Sequence, residues 1–208
     1  PVDILISGNK IKSINSLINI DQNNDIEVID GTGKAVFPSF CNMHTHSAMS
    51  LFRGYGDDMP LERWLQEKIW PNEANLTPEI VYWGSKLACL EMIKSGTTCF
   101  NDMYFHYDET ARATEEMGMR AMLSLTFFDH FSEEIASKTK QDILNYGKHI
   151  DNLSNSDLIH WSIAPHSVYT VSGNTLKWAS DFAREQKMKF HIHAAESPTE
   201  CNNSLRDL

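Results

Sequence analysis

Short apolar runs broken by turn formers occupy the first 38 positions. Val2, Ile4 and Ile6, then Ile11 and Ile14 beyond the Gly8-Asn9 turn, then Val28 and Ile29 predict strands over 2–6, 10–14 and 27–31. Strands this few and short do not make a stable sheet by themselves. The segment is therefore expected to need partner strands from elsewhere in the polypeptide.

From position 35 the pattern changes to apolar strands separated by helical segments, the signature of a parallel sheet wound with crossover helices. Strands are predicted over 35–41, 97–101, 120–127, 158–164 and 189–193. Helices are predicted over 61–70, stopped by Pro71, then over 78–95, around 110–117, within 132–152 and over 173–186. The second of these has the fullest boundary signals: Thr77 as N-cap, Pro78 at the first helical position and Gly96 closing the end. Its buried stripe is expected to comprise Ile80, Gly84, Leu87, Ala88 and Met92. The tail after Glu196 shows no defined element. The fold class is α/β, of the (β/α)8 TIM-barrel type, truncated to its first five strand–helix units, since a whole barrel takes roughly 250 residues.

In such a barrel the functional groups gather at the C-terminal ends of the strands. The histidines follow that rule: His44 and His46 follow the first strand, His106 the second and His166 the fourth, while His191 and His193 end the fifth. Residues two apart on an extended segment share a face, so His44 and His46 can offer two imidazoles to one ion. A pair of loop histidines bonded to backbone would look the same. The second group, Phe190-His191-Ile192-His193-Ala194-Ala195-Glu196, favours the metal reading.

His44, His46 and His193 form the candidate ligand set, because three neutral imidazoles suit a zinc that keeps one position open. His191, on the same face as His193, stays an alternative ligand, and the carboxylate of Glu196 just beyond favours His193. Glu196 is the candidate general acid/base. Its alternative is a surface carboxylate capping a following helix.

Composition narrows the partners. With 208 residues, 41% hydrophobic and 10% aromatic, the chain can bury a substantial core. A net charge of -10 with no basic run argues against nucleic acid and for a small neutral or cationic ligand. Cys41, Cys89, Cys99 and Cys201 are scattered, as expected of reduced thiols. No secretory signal opens the sequence and no apolar run approaches a membrane span, so a soluble, cytoplasmic protein without a membrane partner is expected. Association into a homo-oligomer is left open.

The runs VFPSFCNMHTH, RGYGDDMPLERWL, SGTTCFNDMYFH, APHSVYT and HIHAAES, in this order, resemble the amidohydrolase superfamily. Among its branches the sequence is most similar to the 5'-methylthioadenosine/S-adenosylhomocysteine deaminases, over 2–196. The resemblance implies a metal-dependent barrel, with residues 1–38 part of a composite β-sandwich built from both chain ends and residues 39–208 the first half of the barrel. It makes His44, His46 and His193 the metal ligands, assigns proton transfer to Glu196 and gives substrate contact to His166. Trp64 would lie against the purine nucleoside and Glu73 would bind the ribose hydroxyls. From the residues alone, Trp64 reads rather as a core partner of Leu61 and Leu65, and Glu73 can be read as a solvated loop carboxylate.

Two-metal members of the superfamily bridge their ions with a modified lysine at the end of the fourth strand. The strand over 158–164 has none, which implies one divalent metal, zinc, with iron as the alternative. The family's remaining histidine, after the sixth strand, and its aspartate, after the eighth, which completes the metal site, would lie beyond Leu208. No basic residue falls between Leu123 and Asp129, where some relatives place one for a substrate's tail carboxylate. The implied activity is hydrolytic deamination of an adenine nucleoside, 5'-methylthioadenosine or S-adenosylhomocysteine, with release of ammonia. The rivals are a guanine deaminase, a triazine chlorohydrolase, or a non-catalytic binding module, since 208 residues of this kind are expected to be inactive alone.

Overall fold

The structure, a computed structural model, describes residues 1–19, 26–147 and 157–207. The chain divides into two compact units, Pro1–Pro38 and Ser39–Leu208.

In the first unit β1 (Asp3–Ser7) and β2 (Lys10–Asn15) form an antiparallel hairpin, with Gly8 of the turn at φ +58°. The positive φ is why glycine stands there. Asp3 fastens the chain beyond the hairpin, its carboxylate accepting from the Ile18 N–H at 2.9 Å. The third strand expected over 27–31 is not formed. The residues are β-rich in type, but a strand needs a ladder partner and the described residues supply none.

In the second unit five parallel strands lie side by side in chain order: β3 (Phe40–Thr45), β4 (Thr97–Asp102), β5 (Arg120–Phe127), β6 (Ile159–Pro165) and β7 (Lys189–Phe190). Spatial order equal to chain order, with a helix between neighbours, is the topology of a (β/α)8 barrel, and these strands make half of one. The fit with the sequence is close for β4, β5 and β6. β3 is displaced from the expected 35–41, because Pro38 lacks an N–H and the ladder opens only where Phe40 pairs with Thr97. His44 therefore lies inside β3, and only His46 follows it. β7 is shorter than expected, followed by a single bridge between Ser167 and His193.

A 3-10 turn (Ser47–Phe52) follows β3, and a helical run then passes from α1 (Leu61–Trp64) through a π-helical stretch (Leu65–Ile69) into α2 (Trp70–Glu73). The run continues through Pro71, which was expected to stop it. Proline removes one backbone donor, and a π turn just before it absorbs the break in register.

α3 (Pro78–Lys94) keeps its expected caps: Thr77 Oγ1 accepts from the Ile80 N–H at 3.3 Å, and Gly96 turns the chain at φ +82°. Its buried face holds Val81, Tyr82, Gly84, Ser85, Ala88, Cys89 and Met92, so the expected Gly84, Ala88 and Met92 are right. Ile80 is exposed and Leu87 half-buried, since the face is turned toward Val81 and Ser85. α4 (Tyr107–Glu116), α5 (Glu133–Gly147) and α6 (Gly173–Glu185) lie where helices were expected, and the predicted continuation of α5 over 148–152 falls outside the described residues. The tail forms a helix after all, α7 (Pro198–Asp207).

Two apolar clusters weld helices to strands. Ala88, Cys89 and Met92 of α3 meet Phe100, Ala111, Ala121, Leu123 and Ile159, while Ile143 of α5 and Ala179, Phe182 and Ala183 of α6 meet Leu125, Phe127 and Ile163. Strands buried on both faces read as continuous apolar runs, and serines within them stand out.

Candidate active site and metal centre

The candidate histidines arrive from strand ends. β3 delivers His44 and the residue after it delivers His46. The segment after β6 delivers His166, and the segment after β7 delivers His191 and His193, whose backbone N–H groups donate to Ile163 and His166 carbonyls at 3.0 and 2.9 Å. One ligand nitrogen from each of His44, His46 and His193 lies within 4.8 Å of the other two. The imidazole centroids are 4.9 Å apart for His44 and His46, 4.8 Å for His44 and His193, and 5.2 Å for His46 and His193. His166 joins them at 4.8 Å from His193.

The donor set suits a metal ion on two physical counts. Burial lowers all these imidazoles: His46, His191 and His193 to about 4 and His166 to about 3, with His44 lowered by burial and partly restored by the Glu196 carboxylate. They are neutral at pH 7, as ligands must be. The second count is orientation. His46 Nδ1–H donates to the Met103 carbonyl, and His44 Nδ1 is engaged by His191 Nε2 at 2.9 Å, which leaves Nε2 free on both rings.

Around this cluster the hydrogen bonds are mostly local. Asp102 at the end of β4 is buried, accepts from the Ser47 N–H at 2.6 Å and is pushed up to about 7 by burial. It fixes the 3-10 turn that begins directly after His46. His166 Nδ1 meets the Thr170 and Ser167 hydroxyls at 3.0 and 3.1 Å. The Glu196 carboxylate accepts from the Tyr169 hydroxyl at 2.7 Å.

Glu196 sits in a turn whose preceding residue, Ala195, has φ +57°. Buried Glu200 holds that turn, accepting from the Ala195 and Glu196 N–H groups at 3.0 and 2.7 Å. Ser197 Oγ in turn accepts from the Glu200 N–H at 3.1 Å. Ser197-Pro198-Thr199-Glu200 is thus a helix-start signature, and sequence reasoning could have read α7 and the support of Glu196 from it.

The other two candidates part ways. Glu73 is half-buried, its pKa raised by burial, beside the Tyr104 hydroxyl, and the Tyr104 ring lies 5.9 Å from His46. The two groups are close, but no hydrogen bond of good geometry forms and the buried Tyr104 hydroxyl has no partner among the described residues. Trp64 packs under the loop around Gly56, whose φ of +94° and absent Cβ make room for the indole, and its Nε1–H donates to the Tyr55 carbonyl at 3.2 Å. That is the behaviour of a loop-bracing residue.

A model of the amidohydrolase family matches residues 35–207. The chain belongs to the amidohydrolase family. It is 46% identical over 207 residues to the 5'-deoxyadenosine deaminase of Methanoregula boonei, covering 99% of this chain and 47% of that one. It is 49% identical over 173 residues to the 5-methylthioadenosine/S-adenosylhomocysteine deaminase 1 of Archaeoglobus fulgidus, covering 83% and 40%. Among solved structures, an adenosine deaminase from Xanthomonas campestris with bound zinc superposes with a TM-score of 0.73 at 36% identity, over 81% of this chain and 38% of that one. Atrazine chlorohydrolase from Arthrobacter aurescens, complexed with zinc, superposes at 0.77 over 94% and 48%, and at 18% identity shares the fold alone. The amidohydrolase chain described here spans about half the length of the curated relatives it matches.

Proposed function

We propose that the protein hydrolytically deaminates an adenine nucleoside modified at the 5' position, replacing the ring amino group with oxygen and releasing ammonia. The observation that carries this reading is the convergence of His44, His46 and His193 within 4.8 Å, beside Glu196, on a chain close to half identical to adenosine-type deaminases. The substrates it favours are 5'-methylthioadenosine, S-adenosylhomocysteine and 5'-deoxyadenosine, the compounds for which the relatives are named. Residues 1–38 would serve as strands of a β-sandwich shared with another part of the polypeptide.

His44, His46 and His193 would hold one divalent ion, zinc in preference to iron. When bound, the ion would supply Lewis acidity that lowers the pKa of water. Glu196 takes the proton that water gives up as its oxygen attacks the amino-bearing ring carbon, and returns it to the departing nitrogen, so that ammonia leaves. Tyr169 and the Glu200-held turn keep the carboxylate in place for both transfers. With His166 Nδ1 accepting from the Thr170 hydroxyl, its proton resides on Nε2, which donates to the charge developing on the purine. Glu73, beside Tyr104, stands ready for the ribose hydroxyls, and Trp64, which braces the loop around Gly56, would lie against the purine nucleoside.

Ammonia release by the natural full-length protein against adenine nucleosides, guanine and a chlorinated triazine tests the reading. Turnover is expected with the 5'-modified adenine nucleosides, and Glu196→Gln is expected to lower kcat about 10²–10⁴-fold. Turnover of guanine or the triazine with none of the nucleosides would sink the substrate claim.

A further inference from the structure

His191 has no part in the reaction as just described, yet it is the most completely engaged histidine of the cluster. Its Nε2 lies 2.9 Å from His44 Nδ1 and its Nδ1 lies 3.3 Å from Ser124 Oγ, which in turn lies 2.8 Å from Ser162 Oγ. Ser124 and Ser162 are opposite each other on β5 and β6, both fully buried within apolar strands. A hydroxyl there forgoes the packing that an alanine would give and is retained at a cost unless it has a partner. The two serines find one in each other and in His191.

The four groups can be satisfied in a single direction. His44 must carry its proton on Nδ1 if Nε2 is to bind a metal, so Nδ1–H donates to His191 Nε2. His191 then has its own proton on Nδ1, which donates to Ser124 Oγ, and the Ser124 hydroxyl donates to Ser162 Oγ. Both nitrogens of His191 are used, and neither remains for an ion. His46 shows the same device with a different acceptor, the Met103 carbonyl.

We propose that His191 is a positioning residue for His44, held by the buried Ser124 and Ser162, and that this relay fixes the tautomer and ring orientation in which His44 presents Nε2. The proposal rests on the metal-site reading above. Partners of this kind are worth about 10–100-fold in metal affinity.

The test is zinc affinity of the natural full-length protein, measured by competition with a chromogenic chelator, for wild type, His191→Leu, His191→Gln, Ser124→Ala and His44→Ala. The melting temperature of each metal-free variant reports its folding. His191→Leu is expected to bind zinc about 10–100-fold more weakly, with Ser124→Ala showing a smaller loss in the same direction. His191→Gln, whose side-chain oxygen can take the place of Nε2 as acceptor, is expected to recover most of the affinity. Folded His191→Leu and Ser124→Ala proteins with wild-type affinity would overturn the proposal. So would a His191→Gln protein as impaired as His44→Ala, which would make His191 a ligand. A wild-type protein that takes up no zinc would overturn the metal reading itself, and would do so before any substitution is compared.

Discussion

Neutral imidazoles crowded at one strand-end cluster are costly to protonate. His46, His191 and His193 at about 4 and His166 at about 3 are all depressed by burial from an unfolded value near 6.5. Between pH 6.5 and 4 the unfolded chain therefore binds more protons than the folded one, so stability is full above the unfolded value and falls as pH drops. The urea midpoint of metal-free protein is expected to decrease from pH 7 to pH 5, and a flat midpoint would contradict the burial of these rings. At this scale the sequence was informative where chemistry repeats along a strand. Spacing marks His44, His46, His191 and His193, with Glu196 just beyond, as candidates, and the structure brings His44, His46 and His193 within 4.8 Å of one another. Glu200 and the Ser124–Ser162 pair carry fainter signals, a Ser-x-x-Glu start and a polar residue between two apolar ones. The Met103 carbonyl, a backbone group, leaves no mark on a sequence.

Elements bring these residues together through close packing. α3 crosses the 3-10 turn after His46 at Gly84, where an added Cβ would lie 2.7 Å from the Ala48 carbonyl oxygen and 2.9 Å from Ala48 Cα. Backbone cannot yield as a flexible side chain can. Gly84→Ala is expected to lower stability by about 1–3 kcal/mol and to weaken metal binding by moving His46, as thermal melting and zinc titration would show. Thermal and zinc-binding behaviour equal to wild type would mean that the turn is not held by α3. Glycine at 84 was legible as part of the buried stripe, but not the reason for it. The π-helical stretch before Pro71 was missed because a proline in a helical pattern signals a stop, whereas here the widened turn carries the helix on to Glu73. β3 began later than predicted because the ladder, not the apolar run, decides where a strand starts.

On the scale of the molecule, the parallel five-stranded order was legible because apolar strand and amphipathic helix alternate without interruption from β3 to β7. The hairpin unit was legible only in part, since the third run has no described partner. β3 and β7 are the two outer strands, with Phe40 and Met43 on β3 and Phe190 on β7 exposed. Relatives about twice as long share this half of the fold and are named for deaminating adenine nucleosides. The central claim is that His44, His46 and His193 hold a metal on which that chemistry depends. Its most direct test is ammonia release from 5'-methylthioadenosine by the natural full-length protein before and after exhaustive chelation. Chelation is expected to abolish release and one equivalent of zinc to restore it, whereas undiminished release from the chelated protein would rule out a metal-dependent reaction.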